Sequence, residues 1–425
     1  MDFWDREEEK KQIGGFAGKG AFGYVTGRRR VGKTALLVEC CRLLSGLYHQ
    51  AVEGTPQQQI EHLVYELKDR IPVFQGITPR SWSEFFHLIS RSELPGLIVF
   101  DEFPYWAESD PALPSLLQKW IDHELRGKST SLLISGSSQS MLHSYFLNES
   151  APLYGRARLH LNLMPLTYRW FCKVFRFRVS DPEAFERFSM VGGVPHYWNL
   201  MPARSLTAVA AELYFRPSAI LAEEPRHLLH EEGISGHLPK AILDLVGSGV
   251  SKPSEVAARL GMPQSNLSRA FAALLDAGVL HRGLPFGESM RSTKRTLYSI
   301  EDPAVRFYYG SFLPFRTRWT TMPESQRKQV VRNHASAVWE SFCRNHFPAS
   351  SRYWEPNLEL DLVAPLDRNN GHLVAECKWA KLKKGEEDAL LQDLQLRFGR
   401  SRLNNRLSKL QFRILSQKDL AEMAP

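Results

Sequence analysis

The stretch AFGYVTGRRRVGKTALLVECC, residues 21–41, decides the fold of the first part of this chain. Residues 22–26 have the apolar character of a strand, residues 27–34 follow with the spacing of a P-loop, and a helical pattern begins at once. Glycines let backbone N–H groups close around phosphates at a helix N-terminus, where the helix dipole favours anions. The order strand, loop and helix therefore predicts a P-loop in a parallel α/β sheet, in preference to a chance glycine turn.

The loop predicts a nucleotide cofactor and a metal ion. Lys33 would reach the β and γ phosphates of ATP, and the Thr34 hydroxyl would ligate Mg²⁺. We therefore expect ATP and Mg²⁺ as cofactors. The loop residues predicted to bind ATP are Gly27, Arg30, Gly32, Lys33, Thr34 and Ala35.

A second apolar run, GLIVFDEFPYW at residues 96–106, contains two adjacent carboxylates. Residues 97–100 are continuously apolar, which is typical of a strand buried on both faces of a parallel sheet. Asp101 would lie at the carboxyl end of that strand, where open α/β sheets bind ligands, and would hold Mg²⁺ with Thr34. Glu102 would orient the attacking water as a catalytic residue. The alternative is a surface Asp-Glu pair that closes the strand.

A third run, residues 131–135, predicts a further strand that leads into GSSQS at residues 136–140. Ser137 or Ser138 would be placed there to sense the γ-phosphate, and Ser137 is included among the predicted cofactor-binding residues. A plain polar loop is the alternative interpretation of these serines.

These segments together resemble the archaeal-type AAA-like ATPases, a STAND-related group of P-loop proteins. GRRRVGKT, FDEFPYW and SGSSQSM, then PLYGRA at 152–157 and VGGVPHYW at 191–198, follow the order of that family. The resemblance covers residues 1–215 and implies a small helical lid over residues 166–225. It also implies that FWDREEE at residues 3–9 is the family's first helix, whose Arg-Glu pair sits near the nucleotide base.

The same resemblance implies a catalytic role for Arg156. This arginine would complete the ATP site, either in its own chain or in a neighbouring copy, by stabilising charge that develops in the transition state. A homo-oligomer is therefore an expected partner state. From the residues alone, a solvated loop arginine is the alternative.

The middle of the chain, KPSEVAARLGMPQSNLSRAFAALLDAGVLHR at residues 252–282, reads as two helices and a tight turn. A hairpin would follow as a wing, which predicts a winged helix-turn-helix within residues 226–322. Such a module presents its second helix to a DNA major groove, although the same module also serves protein–protein contacts. The side chains predicted to face DNA are Ser265, Asn266, Ser268 and Arg269, with Arg259 and the wing residues Lys294 and Arg295 in support.

The last part of the chain predicts a helix, three strands and a further helix. Within ELDLVAPL at 359–366 and HLVAECKWA at 372–380, the charged residues alternate with apolar ones, so each strand would bury one face and present charge on the other. The alternating charged residues are Glu359, Asp361, Glu376 and Lys378.

This pattern resembles the PD-(D/E)xK nuclease fold, in the form found behind the same ATPases as a domain of unknown function. The resemblance implies that Asp361 and Glu376 are metal carboxylates, that Lys378 is a catalytic lysine and that Glu340 supports the site from a helix. Carboxylate oxygens suit Mg²⁺, which lowers the pKa of a bound water. The proline that precedes the family's aspartate is replaced here by Leu360. A solvated charged sheet face is the alternative.

Net charge and cysteine content indicate which kind of partner and which cellular compartment to expect. A net charge of +8 on 425 residues favours an anionic partner, nucleic acid before membrane. Some of the basic residues between Lys381 and Arg413 could form one basic helix face that attracts phosphates, with a solvated face as the alternative. Among nucleic acids, DNA is the predicted partner. Five cysteines without a CxxC pair predict buried free thiols in a reducing compartment. The charged N-terminus is unlike a signal peptide, and no apolar run approaches the roughly 20 residues of a membrane span. The sequence predicts a cytoplasmic protein.

The predicted fold class is α/β. It comprises a P-loop parallel-sheet ATPase core with a helical lid at 1–225, a winged helix-turn-helix at 226–322 and a restriction-endonuclease-like α/β domain at 323–425. The predicted function is an ATP-hydrolysing protein of nucleic-acid metabolism whose ATP state gates a Mg-dependent nuclease, with defence against foreign DNA as a candidate role. The alternative is a nucleotide-dependent switch or scaffold that binds DNA or protein without cleaving it.

Overall fold

The computed structural model describes residues 4–136, 145–146, 149, 151–202, 204–291, 293, 295–366 and 371–424. The chain divides into two compact units. The first comprises Met1–Pro165 with Val194–His196, and the second comprises Leu166–Gly193 with Tyr197–Pro425. Each unit is described by itself below.

The first unit is built on a parallel five-stranded sheet in the order β2-β3-β4-β1-β5. The strands predicted at residues 22–26, 97–100 and 131–135 are confirmed as β1, β3 and β4. The strands are β1 (Phe22–Gly27), β2 (Leu47–Gln50), β3 (Leu97–Asp101), β4 (Ser131–Ser135) and β5 (Ala157–Leu163). The helices that accompany them are α1 (Glu7–Phe16), α2 (Lys33–Leu43), α3 (Pro56–Leu67), α4 (Trp82–Ser90), α5 (Pro104–Ser109) and α6 (Leu113–Trp120).

Both faces of this sheet are covered, as its continuous apolar strands predict. Every residue of β3 and β4 is buried. Along β3, Ile98 and Phe100 pack into an aromatic-rich cluster on one face, whereas Leu97 and Val99 pack with helices α1 and α2 on the other. The carboxyl ends of β1, β3 and β4 therefore meet at one buried edge.

The second unit contains helices and two further sheets. After α7 (Tyr168–Phe175) and α8 (Pro182–Val191), the chain forms α9 (Pro195–Asn199), which crosses the boundary between the units. The following helices are α10 (Leu206–Ala210), α11 (Ile220–Glu231), α12 (His237–Gly247), α13 (Pro253–Leu260), α14 (Gln264–Asp276), α15 (Pro303–Phe307), α16 (Leu313–Phe315) and α17 (Glu324–His346).

Helices α13 and α14 and a short hairpin occupy the region where the sequence predicts a winged helix-turn-helix. Gly261 ends α13 with φ 65°, a left-handed conformation that glycine adopts without strain. After α14, strands β6 (His281–Gly283) and β7 (Leu297–Ser299) pair antiparallel. We call residues 281–299 the hairpin segment.

The C-terminal sheet has four strands in the order β11-β10-β9-β8. Strands β8 (Ser351–Glu355), β9 (Leu358–Leu366) and β10 (Gly371–Cys377) are antiparallel, and α18 (Lys384–Arg400) leads to β11 (Leu410–Leu415), which lies parallel to β10. The predicted order of helix, three strands and helix is observed, and α19 (Leu420–Met423) follows β11. The turn predicted between β9 and β10 falls on residues 367–370, outside the described residues.

The basic residues beyond Lys381 lie on several kinds of local structure, so only some of them can share the predicted helix face. Helix α18 ends at Arg400, a 3₁₀ turn spans Arg402–Asn405, and Arg413 lies on β11. Arg413 pairs there with Glu422 and Asp419. The basic residues are therefore spread over a helix, a 3₁₀ turn, a strand and the segments between them, and a shared helix face is limited to those of α18.

Strand β9 carries a β-bulge beside Asp361. Val363 pairs with Ser351 and Leu360 with Tyr353, so three steps along β9 match two steps along β8. The extra residue lies at Asp361 or Leu362. Bulges re-aim side chains and interrupt the backbone ladder, and they are frequent beside functional sites.

Candidate functional site

The loop between β1 and α2 has the backbone of a phosphate cradle. Gly27 has φ 141° and Gly32 has φ 101°, conformations that glycine adopts readily and other residues rarely do. A Cβ at position 27 would lie 2.6 Å from the Leu163 carbonyl oxygen, whereas one at position 32 would meet open space. Arg30 is also left-handed, at φ 61°. Gly32 caps α2, whose first turn contains no acidic residue, so this end of the helix can accept an anion.

Lys33 lies across this loop. Its side chain is almost fully buried, and Nζ donates to the Gly27 carbonyl at 2.7 Å and to the Arg28 carbonyl at 3.1 Å. Thr34 and Ala35 follow on the exposed first turn of α2. The predicted loop residues therefore lie together around one helix N-terminus.

Asp101 is fully buried at the end of β3 and accepts four hydrogen bonds. Oδ2 accepts from Thr34 Oγ1 at 2.7 Å and from the Tyr48 hydroxyl at 2.9 Å. Oδ1 accepts from the Glu102 N–H at 3.0 Å and from the Ser135 hydroxyl. The predicted partners Thr34 and Asp101 are thus in direct contact, although they are far apart in sequence.

Tyr48 and Ser135 were not among the predicted site residues. Burial and the adjacent Asp101 carboxylate raise the pKa of Tyr48, so its hydroxyl remains a donor. Ser135 could have been recognised, because it is a polar residue at the end of a buried strand. Tyr48 carried no comparable signal, because β2 has only four residues and its contact depends on pairing with β3.

Glu102 adopts a left-handed backbone, with φ 54°. For a non-glycine residue this conformation is strained, and such strain is concentrated at active sites. The strained position directly follows Asp101, and Glu102 is partly exposed there. Ser137 and Ser138, the predicted γ-phosphate sensors, lie outside the described residues.

Arg156 is not brought to the P-loop of its own chain. It precedes Ala157, which pairs with Phe22 at the start of β1, whereas the P-loop begins at the other end of that strand. The strand's five steps separate the two ends by roughly 16 Å. Nε of Arg156 instead lies 3.0 Å from Asp122 Oδ2.

Arg6, from the predicted first helix, contacts the P-loop through its backbone. The buried guanidinium donates to the Val31 carbonyl at 3.1 Å and to the Met164 carbonyl at 2.8 Å, and it pairs with Glu9 at 3.0 Å. It therefore ties the loop to the carboxyl end of β5.

The donors at this edge suit ATP and Mg²⁺. The glycine loop and helix N-terminus provide a site for phosphates, and the Thr34 hydroxyl and Asp101 carboxylate provide hard oxygen ligands. These two oxygens already lie in contact, so little rearrangement would be needed to share one cation.

The predicted acidic pair of the C-terminal sheet lies side by side but is buried. The last pair of the β9–β10 ladder is Leu362–Ala375, and the next positions are Asp361 and Glu376. Oδ2 of Asp361 accepts the Cys377 N–H at 2.9 Å, so this carboxylate provides an acceptor just beyond the last pair of the β9–β10 ladder. Glu376 is only 5% exposed, which rules out a solvated position for this side chain.

Two cations neutralise Glu376. Lys378 Nζ lies 2.7 Å from Oε1, and an arginine from α18, Arg397, lies 2.7 Å from Oε2. The ion pair with Glu376 raises the pKa of Lys378, although burial alone would lower it, so Lys378 is a cation here. Arg397 also donates to the Glu359 carbonyl at 2.7 Å. Arg397 is not among the site residues that the sequence predicts.

Asp361, by contrast, has an excess of negative neighbours. Burial, Glu376 and Glu340 together raise the pKa of Asp361 to about 6. Glu340 is itself paired with Arg352 and lies 3.9 Å from Arg344. The three acids that the nuclease resemblance implies are therefore neighbours.

The described residues do not form a metal centre at this acidic pair. Within the ranges given above, no three His, Cys, Asp or Glu side chains are arranged to hold a metal ion. Both oxygens of Glu376 are engaged by cations, so a metal would have to displace Lys378 or Arg397. The buried charge that the sequence assigns to metal or solvent is compensated by basic side chains.

The hairpin segment is docked and not free. Its Phe286 N–H donates to the Arg352 carbonyl at 2.8 Å, and Arg295 donates to the Trp354 carbonyl at 2.9 Å and pairs with Glu288. Arg295 is therefore engaged within its own unit, and its support for DNA contact stays a prediction; Lys294 lies outside the described residues. The predicted contact residues of α14 are exposed, namely Ser265, Asn266, Ser268 and Arg269.

Two family models match separate parts of the chain. One, described as an ATPase domain predominantly from Archaea, matches residues 3–200. The other, described as archaeal and bacterial proteins of unknown function, matches residues 324–390. An uncharacterized protein of Methanocaldococcus jannaschii is 26% identical over 412 residues, which is 92% of this chain and 91% of that protein.

One solved structure shares the fold of this chain at low sequence identity. The Walker-type ATPase of Pyrococcus abyssi has a TM-score of 0.54 and 18% identity, and the match covers 72% of this chain and 96% of that chain. The ORC2 protein of Aeropyrum pernix has a TM-score of 0.43 and 14% identity, and the match covers 79% of this chain and 95% of that chain. The family match over residues 3–200 and the loop geometry together support a P-loop ATPase in the first part of the chain.

Proposed function

We propose that this protein binds and hydrolyses ATP in residues 3–200, and that this controls when its C-terminal part binds nucleic acid. DNA is the favoured nucleic acid. The ATPase part of this proposal rests on the contact between the buried Asp101 carboxylate and the Thr34 hydroxyl at the P-loop. The net charge of +8 supports an anionic partner for the rest of the chain.

The P-loop residues have separable roles in this proposal. Gly27, Gly32 and Lys33 would bind the phosphates, while Thr34 and Asp101 would hold Mg²⁺, which offsets charge at the phosphates. Glu102 would orient the attacking water. Other proposed ATP contacts are Arg30, Ala35 and Ser137.

Arg156 has a role here only through a second copy. Its position at the opposite end of β1 supports donation to a neighbour's ATP site and argues against its own. The proposal therefore includes a homo-oligomer in which Arg156 exchanges Asp122 for a nucleotide phosphate.

The finer form of the proposal is that nucleotide state gates Mg-dependent phosphodiester cleavage. Asp361 and Glu376 would hold the metal, and Lys378 would stabilise the developing oxyanion. The adjacency of the two acids and the raised pKa of Asp361 support this form, because a divalent cation would relieve their repulsion. It requires Glu376 to lose an ion pair first.

A switch or scaffold that binds without cutting is the second candidate. It is favoured by the two ion pairs of Glu376, which satisfy this buried carboxylate without metal. In that case the acidic pair would stabilise the sheet and the exposed face of α14 would provide binding.

Plasmid, linear and single-stranded substrates incubated with Mg²⁺ or Mn²⁺, with and without ATP, test these forms. We expect Lys33→Ala to lower ATP turnover by about 100-fold or more, because the lysine contacts transferring phosphates. Lys128→Ala is a matched control, since this partly buried lysine also donates to a backbone carbonyl, that of Ser90. Equal turnover in both variants would contradict the proposed role of Lys33.

Cleavage separates the two candidates. The nuclease form predicts cutting that Asp361→Ala abolishes while ATP turnover is retained. No cutting by the wild type in either metal, with ATP turnover present, would leave the switch or scaffold.

A cytoplasmic location is part of the proposal. All five cysteines are buried and free, which supports a reducing compartment. In the described part of the chain, no helix is both long and apolar enough to cross a membrane.

A further inference from the structure

A cavity of about 910 Å³ lies within the second unit. It is bounded by α17, by the hairpin segment, by the end of α12 and by β8. Its volume lies within the range of ligand sites, roughly 300 to 1,000 Å³. We call this cavity the arginine cleft.

Three arginines and two glutamates line the arginine cleft, namely Arg306, Arg344, Arg352, Glu301 and Glu340. The histidine on its wall, His334, adds no charge, because burial lowers its pKa to about 3. Burial and the neighbouring Arg352 lower the pKa of Arg344, although Glu340 and other anions act against them. The cleft therefore holds an excess of positive charge that a bound anion would stabilise.

One residue of the cleft wall, Arg352, has a hydrogen-bond donor that no described residue accepts. One terminal nitrogen pairs with Glu340, but Nε is buried and makes no hydrogen bond to any described residue; Glu359 Oε1 lies 3.5 Å away. A buried donor without a hydrogen bond is uncommon in a folded protein. An arginine fork is well suited to a phosphate.

Aromatic rings share the wall with these arginines. Phe315, Phe347 and Trp354 line the cleft and are each partly exposed. A positively charged groove with aromatic platforms is the usual arrangement for single-stranded nucleic acid, since every base has a face that can stack.

The arginine cleft adjoins the acidic pair. Arg344 donates from the cleft wall to the Asp361 carbonyl at 3.2 Å. Glu340, on the same wall, also acts on Asp361, because it contributes to the raised pKa of that carboxyl. A strand bound in the cleft would lie next to Asp361.

We propose that the arginine cleft binds a single-stranded segment of nucleic acid, with Arg352 and Arg344 on its phosphates and Trp354 against a base. This inference deepens the proposed function and rests on it for the class of partner. A cavity of about 910 Å³ accommodates only a few nucleotides, whereas a duplex requires a groove that continues along its length.

Fluorescence anisotropy of a labelled short single-stranded oligonucleotide, with full-length protein in EDTA, tests the inference without any cleavage. We expect Arg352→Gln to weaken binding by about tenfold and to reduce the slope of log affinity against log salt by about 0.7, the effect of one phosphate contact. Arg413→Gln is the matched control. Arg413 is similarly exposed and ion-paired, but it lies on β11, the opposite edge strand of the same sheet.

A second variant separates binding from folding. Trp354→Leu should also weaken binding but leave the salt slope unchanged, because it removes stacking and no charge. A blunt duplex should bind less tightly than the single strand, and free AMP should not compete with it.

Several outcomes would overturn the inference: equal binding by Arg352→Gln and Arg413→Gln, tighter binding of the duplex, or full competition by AMP, which would indicate a mononucleotide site. If Arg352→Gln fails to fold, an unchanged affinity of Trp354→Leu would refute it. Binding of the oligonucleotide without cleavage would support the inference and count against the nuclease form. Cleavage that neither Arg352→Gln nor Trp354→Leu affects would support the nuclease form and contradict the inference.

Discussion

Asp101 and Glu376 are both buried carboxylates on sheet strands, but their partners differ in kind. Asp101 accepts from three hydroxyls and one backbone N–H, none of which carries charge. Glu376 is held by the cationic groups of Lys378 and Arg397. Neutral donors orient a carboxylate and leave its charge for a metal ion, whereas cationic donors remove that charge. The P-loop edge is therefore prepared for a cation, and the C-terminal acidic pair is not.

The largest expected effect compares the two carboxylates directly. Asp101→Asn should lower ATP turnover by about 100-fold and the free energy of unfolding by about 1–3 kcal/mol, because the amide oxygen can still accept from Thr34 but the buried NH2 cannot accept from the Glu102 N–H. Glu376→Gln should leave turnover unchanged but lower the free energy of unfolding by about 2–3 kcal/mol, since two cations lose their partner. ATPase assays and urea denaturation measure both quantities. A Glu376→Gln protein as stable as the wild type would remove the basis of the comparison.

Removing Arg397 should make the acidic pair resemble the P-loop edge. We expect Arg397→Gln to bind Mn²⁺ more tightly than the wild type, by about tenfold, because one Glu376 oxygen is released. Isothermal titration of each protein with the metal measures this. Arg400→Gln on the same helix is the control, since Arg400 is exposed. Unchanged Mn²⁺ affinity in Arg397→Gln would indicate that the pair has no latent metal site.

The pH dependence of stability should report the excess charge at Asp361. Its folded pKa of about 6 lies above the ordinary value of 3.8, so its stability contribution is full below pH 4 and is lost as the pH rises through 6. Asp361→Asn should therefore match the wild type near pH 4 and exceed it by about 1–2 kcal/mol at pH 8. Thermal or urea unfolding across this range is the measurement. The opposite trend, a variant less stable at pH 8, would mean that a cation already compensates Asp361.

The smallest expected effect is at Tyr48. Tyr48→Phe removes one of the two donors to Asp101 Oδ2 and should lower ATP turnover by about fivefold, roughly the loss of one neutral hydrogen bond. Because the hydroxyl orients Asp101 without touching substrate, raising Mg²⁺ should restore part of the lost turnover. Tyr65→Phe, at an exposed tyrosine of α3, is the control. A variant insensitive to Mg²⁺ would indicate a purely structural role.

How much of each site the sequence predicts depends on how local its contacts are. Strand, loop and helix follow one another at the P-loop, so the motif spacing already placed Gly27, Gly32, Lys33 and Thr34 together. Asp101 was recognisable because a continuous apolar run ends there, even though its partner Thr34 is remote in sequence. Tyr48 could not be found in this way, because its position depends on which strands pair.

The C-terminal part was predicted element by element but not in its electrostatics. Alternation located β9 and β10, but it predicted one buried face and one charged face for each strand, whereas both faces of β10 are buried. Arg397 reads as one of many basic residues of a solvated helix, and only the packing of α18 on the sheet turns it towards Glu376. No sequence pattern predicts the β-bulge at Asp361 or Leu362.

The docking of the hairpin segment on β8 has a consequence for association between chains. Strand β8 ends the sheet, and an uncovered edge strand can pair with another chain. On that edge, the Arg352 carbonyl accepts from the Phe286 N–H and the Trp354 carbonyl accepts from Arg295. The hairpin segment therefore prevents these carbonyls from pairing with a strand of another chain. A fragment beginning at residue 323 would lack the hairpin segment. Its uncovered β8 edge would favour aggregation, whether or not the fragment is an active enzyme.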